Sequence, residues 1–296
     1  MHPVKRVLIM IGLIGIYLGY QVVVSVGVSI MFIPAGMAEF GTDIPAVTAY
    51  VVEKSAAMTI PSLIISSSLS LLTLWLILRK EWKRDRTWRT DGLNAKIIGV
   101  ALFVGITSNI FIDGIITLVG SFGMFDSLYG SFEEVMNMVM GEKITLSHIF
   151  ALGIIGPVVE EIIFRGAIFS LAKKAWGYTW AIYVSAFLFG LMHGLPLQII
   201  YATGLGILYG YIYKWTKRLW VTVVAHVANN VFTMSIGLLI AIPESMPDYQ
   251  MAALYVIATV IGLAATIFFI IWLTKHQTPE DAPLINLDPE PSAASN

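Results

Sequence analysis

The stretch Glu160-Glu161-Ile162-Ile163-Phe164-Arg165 places three ionisable side chains inside an apolar segment that runs from about Ser147 to Leu171. Each such side chain costs roughly 2.5 to 3.5 kcal/mol at the centre of a bilayer, so all three are expected to face a protein or water-filled interior. Glu161 and Arg165 are four residues apart, on one face of a helix and in the favourable order for an ion pair. Glu160 points about 100° away from Glu161, because a helix has 3.6 residues per turn. The spacing therefore predicts that Arg165 neutralises Glu161 and that Glu160 is free for chemistry.

The composition is that of an integral membrane protein. Of the 296 residues, 57% are hydrophobic and only 12% are charged, whereas soluble domains carry about 25% charged residues. The mean hydropathy is +0.80. The chain contains no cysteine, which excludes disulfides, thiolate metal sites and a cysteine nucleophile.

Eight apolar stretches are long enough to predict transmembrane helices, so the expected fold class is all-α, a polytopic membrane protein with about eight spans. They cover approximately residues 7–33, 58–78, 95–120, 147–171, 177–193, 197–213, 219–242 and 251–273. The first stretch is far longer than the ~7–15 residues of a signal-peptide core, so it is expected to remain as an uncleaved span.

The connections between these spans differ in charge. Basic residues cluster at the N-terminus, in the second, fourth and sixth connections and after the last span: Lys5, Arg6, Arg79, Lys80, Lys83, Arg84, Arg86, Arg89, Lys173, Lys174, Lys214, Lys217, Arg218 and Lys275. The odd-numbered connections contain several acidic residues but only two basic ones, Lys54 and Lys143. The positive-inside rule therefore predicts that both termini lie in the cytoplasm. The expected location of this multi-pass protein is a bacterial cell membrane.

The chain is expected to divide into four parts. Residues 1–143 hold three spans, the basic second connection and an outer amphipathic helix, whose apolar residues recur at helical spacing: Leu128, Phe132, Val135, Met136, Val139 and Met140. Residues 144–242 form the candidate catalytic core, and residues 243–275 hold the final span. Residues 276–296 are rich in proline and acidic residues, which predicts a disordered tail.

Two pairs of glycines have the four-residue spacing that is typical of close helix contacts in membranes. They are Gly15 with Gly19 in the first span and Gly206 with Gly210 in the sixth. Both pairs are predicted to lie where two helices approach each other closely.

Two histidines lie in apolar spans other than the one that carries the glutamates. His193 ends the sequence Phe189-Gly190-Leu191-Met192-His193, and His226 begins His226-Val227-Ala228-Asn229-Asn230. Asn230 shares a helix face with His226, whereas Asn229 points elsewhere. A lone membrane histidine is usually a packed residue, but these groups together suit water-dependent amide hydrolysis. A carboxylate takes a proton from water, an imidazole orients or shares it, and His or Asn donors stabilise an oxyanion.

The three segments together resemble the CPBP family, also called ABI or CAAX-type intramembrane proteases. Its members include the Ras-converting CAAX endoprotease and bacterial bacteriocin-processing and self-immunity proteins. The family pattern EExxxR, FxxxH and HxxxN corresponds here to Glu160-Glu161 with Arg165, Phe189 with His193, and His226 with Asn230. The motifs follow in the family's order on successive predicted helices and cover about a third of the chain.

The resemblance implies that Glu160 and His193 activate water and that His226 and Asn230 hold the scissile carbonyl. Glu161 and Arg165 belong to the same motif, and their spacing indicates structural support. Family members are often labelled metalloproteases. A divalent metal such as zinc, held by Glu160, His193 and His226, is therefore an alternative to the metal-free glutamate site that we favour.

The expected partners are a membrane-anchored protein or peptide substrate and the lipid bilayer, with no nucleic acid. Two other functions compete with the protease. One is a transporter or proton relay that uses Glu160, Asp113 and the histidines, since the protease leaves Asp113 and Asn109 unexplained. The other is a non-catalytic immunity or scaffold protein of the same fold.

Overall fold

The computed structural model describes residues 3–121, 126–140, 144–239 and 248–275, and within these ranges the chain is helical and contains no strand. The predicted all-α polytopic membrane fold is confirmed. The helices are α1 (Pro3–Phe40), α2 (Ile44–Ala57), α3 (Thr59–Arg84), α4 (Ala95–Ser121), α5 (Asp126–Met140), α6 (Leu146–His148), α7 (Gly156–Glu161), α8 (Ser170–Leu191), α9 (Pro196–Thr216), α10 (Leu219–Leu239) and α11 (Asp248–Lys275). Two π-helical segments, Ile149–Ile155 and Ile162–Phe169, flank α7.

Six helical runs among the described residues are long and apolar enough to cross a membrane, compared with the eight spans predicted. Two differences account for the number. The run Leu146–Leu191 is continuous and contains both the fourth and fifth predicted spans. The sixth predicted span corresponds to α9, which is a helix of 21 residues but is less apolar because Gln198, Lys214 and four tyrosines interrupt it.

The fourth and fifth predicted spans are separated at Gly177 within α8. This residue has φ +82° and ψ 179°, a left-handed backbone conformation that glycine adopts without steric cost. The helical stretches before and after Gly177 therefore run in different directions, although no loop of irregular structure separates them.

Packing places the helical run around Glu160 and Glu161 at the centre of the molecule. Helix α10 packs against α4 and against this run, α8 packs against α9, and α4 packs against α11. At the α8–α9 contact, a Cβ on Gly206 would lie 2.9 Å from the Cα of Ala186, so the predicted role of this glycine is confirmed. A Cβ on Gly210 would similarly lie 3.1 Å from Ile182 Cγ2.

The expectation for the other glycine pair is wrong within this chain. A Cβ added to Gly15 or Gly19 would meet no atom within 4 Å, so both glycines face open space rather than a neighbouring helix. The predicted amphipathic helix is present as α5, although its position on the outer surface stays a prediction. The predicted tail and the end of the seventh span lie outside the described residues.

Two contacts bring the second, fourth and sixth connections to one side of the molecule. Lys174 forms an ion pair with Asp85, which joins the fourth connection to the second. Arg218 Nε donates to the backbone oxygen of Asp91 at 2.5 Å, which joins the sixth connection to the second. The common side of these three basic connections agrees with the charge pattern, and the assignment of that side to the cytoplasm stays a prediction.

Candidate active site

The two neighbouring glutamates are carried by a helix of unusual geometry. They end α7, and the π-helical segments before and after it bond each N–H to a carbonyl five residues earlier, as Gly156 N–H does with Ala151 O. Such segments are rare in proteins and occur frequently at functional sites. The backbone of these segments also has hydrogen-bond partners on other helices.

Pro157 removes one hydrogen bond from this helix, because proline has no backbone N–H. In the five-residue register of the first π-helical segment, the carbonyl that loses its donor is that of Leu152. Asn230 on α10 donates its side-chain amide to this oxygen at 3.1 Å. Asn230 thus supplies the hydrogen bond that is missing in the helix that carries Glu160. For its predicted role at a scissile carbonyl, the second N–H of its side-chain amide remains.

Two further donors reach the backbone of the second π-helical segment. Ser185 Oγ on α8 donates to Phe164 O at 2.9 Å. Trp82 Nε1 on α3 donates to Gly166 O at 3.0 Å. Helices α3, α8 and α10 therefore each donate one side-chain hydrogen bond to a carbonyl of residues 149–169, which we call the glutamate-bearing run.

Replacing Asn230 with Ala is expected to lower the free energy of unfolding by about 1–3 kcal/mol, because the Leu152 carbonyl then loses its donor. In a Pro157→Ala background, the substituted alanine supplies the missing backbone N–H, and the same Asn230→Ala change should cost clearly less. A double-mutant cycle on purified protein in detergent measures this coupling. Purely additive costs would show that Pro157 and Asn230 do not share the Leu152 carbonyl.

Glu161 and Arg165 form the ion pair that their spacing predicts. Arg165 Nη1 lies 3.0 Å from Glu161 Oε1, and both side chains are fully buried. Arg165 Nη2 also donates to Gly206 O at 3.0 Å. Its guanidinium lies over two rings, 4.9 Å from the centroid of Phe189 and 5.7 Å from that of Tyr209. The buried charge is thus compensated by a carboxylate, a carbonyl and two aromatic faces.

His226 lies between the two glutamates. Its Nδ1 donates to Glu161 Oε1 at 3.1 Å, while Nε2 faces Glu160 Oε2 at 3.7 Å. The Glu160 side chain is 20% exposed, whereas Glu161 is fully buried. A separation of 3.7 Å is too long for a direct hydrogen bond. Glu161 therefore holds both Arg165 and His226, and Glu160 is the carboxylate placed to meet water.

His193 has one ring nitrogen fixed by its own helix. Its Nδ1 donates to the carbonyl oxygen of Phe189 at 2.9 Å, so in the neutral ring Nε2 is the nitrogen with a free lone pair. The Phe189 ring lies edge-to-face against both histidines, with centroid distances of 4.9 Å to His193 and 5.5 Å to His226. Phe189 thus links the two histidine-bearing motifs.

Asn229 and Asn230 point to different elements, as their spacing predicts. Asn229 is buried and donates to Gly105 O at 3.3 Å and to Ser108 Oγ at 3.4 Å, both on α4. On the same helix α4, Asn109 contacts Thr233 of α10 through its side-chain amide. Asn109 therefore acts in the contact between α4 and α10, and no catalytic role follows for it from this geometry.

Several aromatic residues of the site carry no signal in the sequence. Three tyrosines interact electrostatically with Glu160: Tyr17 of α1, and Tyr201 and Tyr209 of α9. The Tyr209 ring also lies 5.2 Å from that of His226. An isolated tyrosine in an apolar helix has no spacing that marks it. Pro157, by contrast, stands three residues before Glu160 and could have indicated an interrupted helix.

The structure thus brings Glu160, Glu161, Arg165 and His226 into direct proximity, and it places His193 in contact with the Phe189 ring that also contacts His226. Asn230 contacts the same helix as Glu160, but through the Leu152 carbonyl. Convergence of the four candidate catalytic side chains on one cavity stays a prediction.

The alternative zinc site would use Glu160, His193 and His226. Within the ranges that the structure describes, no three His, Cys, Asp or Glu side chains form a group that could hold a metal ion. His226 Nδ1 is engaged by Glu161, so Nε2, which lies 3.7 Å from Glu160 Oε2, is the ring nitrogen that remains for a metal. A metal held by Glu160, His193 and His226 stays a prediction.

The part of the chain that contains the candidate site is similar to known proteins. Residues 142–232 match the family model described as type II CAAX prenyl endopeptidase Rce1-like. The chain is 34% identical over 86 residues to "Putative membrane peptidase YdiL" of Bacillus subtilis (strain 168), which covers 29% of this chain and 35% of that protein. It is 33% identical over 108 residues to "Membrane-embedded CAAX protease MroQ" of Staphylococcus aureus (strain USA300), which covers 34% of this chain and 43% of that protein.

The matched region spans less than half the length of either relative. No solved structure matches the chain significantly. The family match begins just before α6 and ends within α10, so it includes all three motifs. The resemblance predicted from these motifs is therefore confirmed, and the region that forms the candidate site is similar to the Rce1-like CAAX endopeptidase family.

Proposed function

We propose that this chain is an intramembrane endopeptidase that hydrolyses a peptide bond in a membrane-associated protein or peptide. The observation that carries the proposal is the position of His226 between a buried, ion-paired carboxylate and a partly exposed one. The two relatives are named as a membrane peptidase and as a CAAX protease, which supports the same reaction class. Substrates of CAAX type and leader peptides are the classes that we propose.

In this proposal Glu160 is the general base. Its carboxylate takes a proton from a water molecule that attacks the scissile carbonyl carbon, and the proton then passes to the amine that leaves. His193 presents Nε2 because Phe189 fixes its Nδ1, and it assists in orienting the water. No metal is required for these steps.

His226 and Asn230 stabilise the negative charge that develops on the carbonyl oxygen. With its Nδ1–H directed at the Glu161 carboxylate, an imidazole that is also protonated at Nε2 donates from that nitrogen to the oxygen. Arg165 fixes Glu161 in turn and stays away from the reacting atoms. Glu161 and Arg165 are therefore positioning residues in this scheme.

Comparative proteomics of membrane peptides tests the proposal in cells that produce the wild-type protein or the Glu160→Ala variant. We expect specific cleavage products in wild-type cells that disappear with Glu160→Ala. Glu134→Ala is the matched control, because Glu134 is an exposed glutamate on α5, and its peptide profile should equal that of the wild type.

A transporter, a proton relay or a non-catalytic scaffold predicts no cleavage products that depend on Glu160, so an unchanged peptide profile would contradict the protease. Adding a metal chelator to purified protein tests the metal-free form of the proposal. Activity should persist, and a loss that zinc restores would overturn the glutamate-only mechanism.

A further inference from the structure

A cavity lies at the end of α3, away from the candidate active site. Its volume is about 610 Å³, and its walls are the last turns of α3 and the connection of residues 86–91. The α3 surface just before it is apolar and open to the surroundings: Leu72, Leu76 and Ile77 are at least half exposed. Helix α3 is one of the helices able to span the membrane. The cavity therefore lies at the end of its exposed apolar surface, next to the polar connection that follows the helix.

The lining combines cations with indole rings. Arg79, Lys83, Arg86 and Arg89 contribute four positive charges, and Asp91 contributes one negative charge, so the formal sum is +3. Trp75 and Trp88 line the same space and are partly exposed. Tryptophan and basic side chains are the residue types that sit at the headgroup level of a bilayer.

Two of the cations lack a carboxylate partner among the described residues. Asp91 is engaged by Arg89, at 2.5 Å through Oδ2, and by Arg86, at 3.1 Å through Oδ1. The hydrogen bond from Arg89 lowers the pKa of Asp91, which keeps this carboxylate ionised. Arg79 instead lies over the Trp75 ring at 5.3 Å, and Lys83 forms no ion pair within the described ranges. Arg79 and Lys83 are therefore available to an external anion.

The cavity is held in shape by contacts behind its wall. The buried Arg218 donates to the backbone oxygen of Asp91, which fixes the connection. Trp82 packs edge-to-face against Trp88 at 5.3 Å, and its Nε1 donates to Gly166 O. A site that is already ordered loses little conformational entropy when a ligand binds.

We infer that this cavity binds the phosphate headgroup of an anionic phospholipid. A phosphodiester carries one negative charge and acceptor oxygens for Arg79 and Lys83, and its glycerol and first acyl carbons fit against the indole rings. The site opens next to exposed apolar surface, where acyl chains lie, which favours a lipid over a free anion. The Trp82–Gly166 hydrogen bond connects the wall of this site to the helical run that carries Arg165.

Native mass spectrometry of the full-length protein from micelles with equal phosphatidylglycerol and phosphatidylcholine tests the inference. The wild type should retain phosphatidylglycerol in preference to phosphatidylcholine. The Arg79→Gln/Lys83→Gln variant should lose this preference by on the order of tenfold or more, because each cation near an anionic lipid contributes to binding.

The control variant is Lys80→Gln/Lys173→Gln, which removes the same charge from two exposed lysines that do not line the cavity. It should retain phosphatidylglycerol as the wild type does. Equal loss in both variants would show diffuse attraction and overturn the site. Displacement of the lipid by millimolar inorganic phosphate, to the same extent in wild type and control, would identify a free-anion site and overturn the lipid assignment.

Discussion

Replacing Glu160 with Gln is expected to slow peptide hydrolysis by on the order of 10²–10⁴-fold while the protein remains folded and inserted in the membrane. Gln keeps the volume of Glu and its hydrogen-bonding length, but it cannot accept a proton from water. Glu160 has no ion pair with Arg165, and its side chain is partly exposed, so its loss leaves no buried charge unpaired. The measurement is the cleavage rate of a peptide identified by the membrane proteomics above.

The matched control is Glu134→Gln on α5, which removes an equal charge from an exposed position and should leave the rate unchanged. The circular dichroism spectrum of Glu160→Gln should match that of the wild type. Its free energy of unfolding should differ by about 0.5 kcal/mol at most, because Glu160 is partly exposed and lies outside the Glu161–Arg165 ion pair. A Glu160→Gln protein that cleaves at the wild-type rate would remove Glu160 from the mechanism.

Replacing Glu161 with Gln is expected to lower the free energy of unfolding by about 3–5 kcal/mol, because breaking a buried ion pair leaves one charge uncompensated. The loss falls on Arg165, which is fully buried, and on His226, whose Nδ1 loses a carboxylate acceptor. Unfolding of the purified protein by denaturant in detergent measures the change.

The double variant Glu161→Gln/Arg165→Met distinguishes the cost of an unpaired buried charge from the cost of lost side-chain packing. Methionine keeps much of the arginine stem and packs well against aromatic rings, so removing both charges should recover a large part of the stability. No recovery would show that the ion pair itself is not the source of the cost. Equal destabilisation by Glu160→Gln and Glu161→Gln would contradict the division of roles between the two glutamates.

The contacts that sequence could predict are the local ones. The Glu161–Arg165 pair and the divergence of Asn229 from Asn230 follow from positions on a single helix, and the structure shows both. The close approach at Gly206 is also confirmed, but that at Gly15 is wrong. The same spacing gave both predictions, because spacing describes one helix and says nothing about where its neighbour lies.

The contacts that sequence could not predict depend on tertiary packing. Ordinary helical geometry separates Glu160 from Glu161 by about 100°, yet His226 reaches both because its two ring nitrogens face opposite ways. The hydrogen bond from Asn230 to the Leu152 carbonyl depends on the five-residue register of a π-helical segment. No pattern of residues in the sequence predicts that register. Part of the difference in the count of spans has a related reason, since the fourth and fifth spans meet at one glycine rather than at a loop.

The three side-chain donors to the glutamate-bearing run have a consequence for hydrogen exchange. The carbonyls of Leu152, Phe164 and Gly166 are held by α10, α8 and α3, respectively. Local opening of residues 149–169 therefore has to break contacts with three neighbours at once, and the best-packed elements of a protein open with free energies close to that of global unfolding. We therefore expect slow amide exchange in this run, at a rate that depends on the neighbouring helices as well as on the run's own backbone hydrogen bonds.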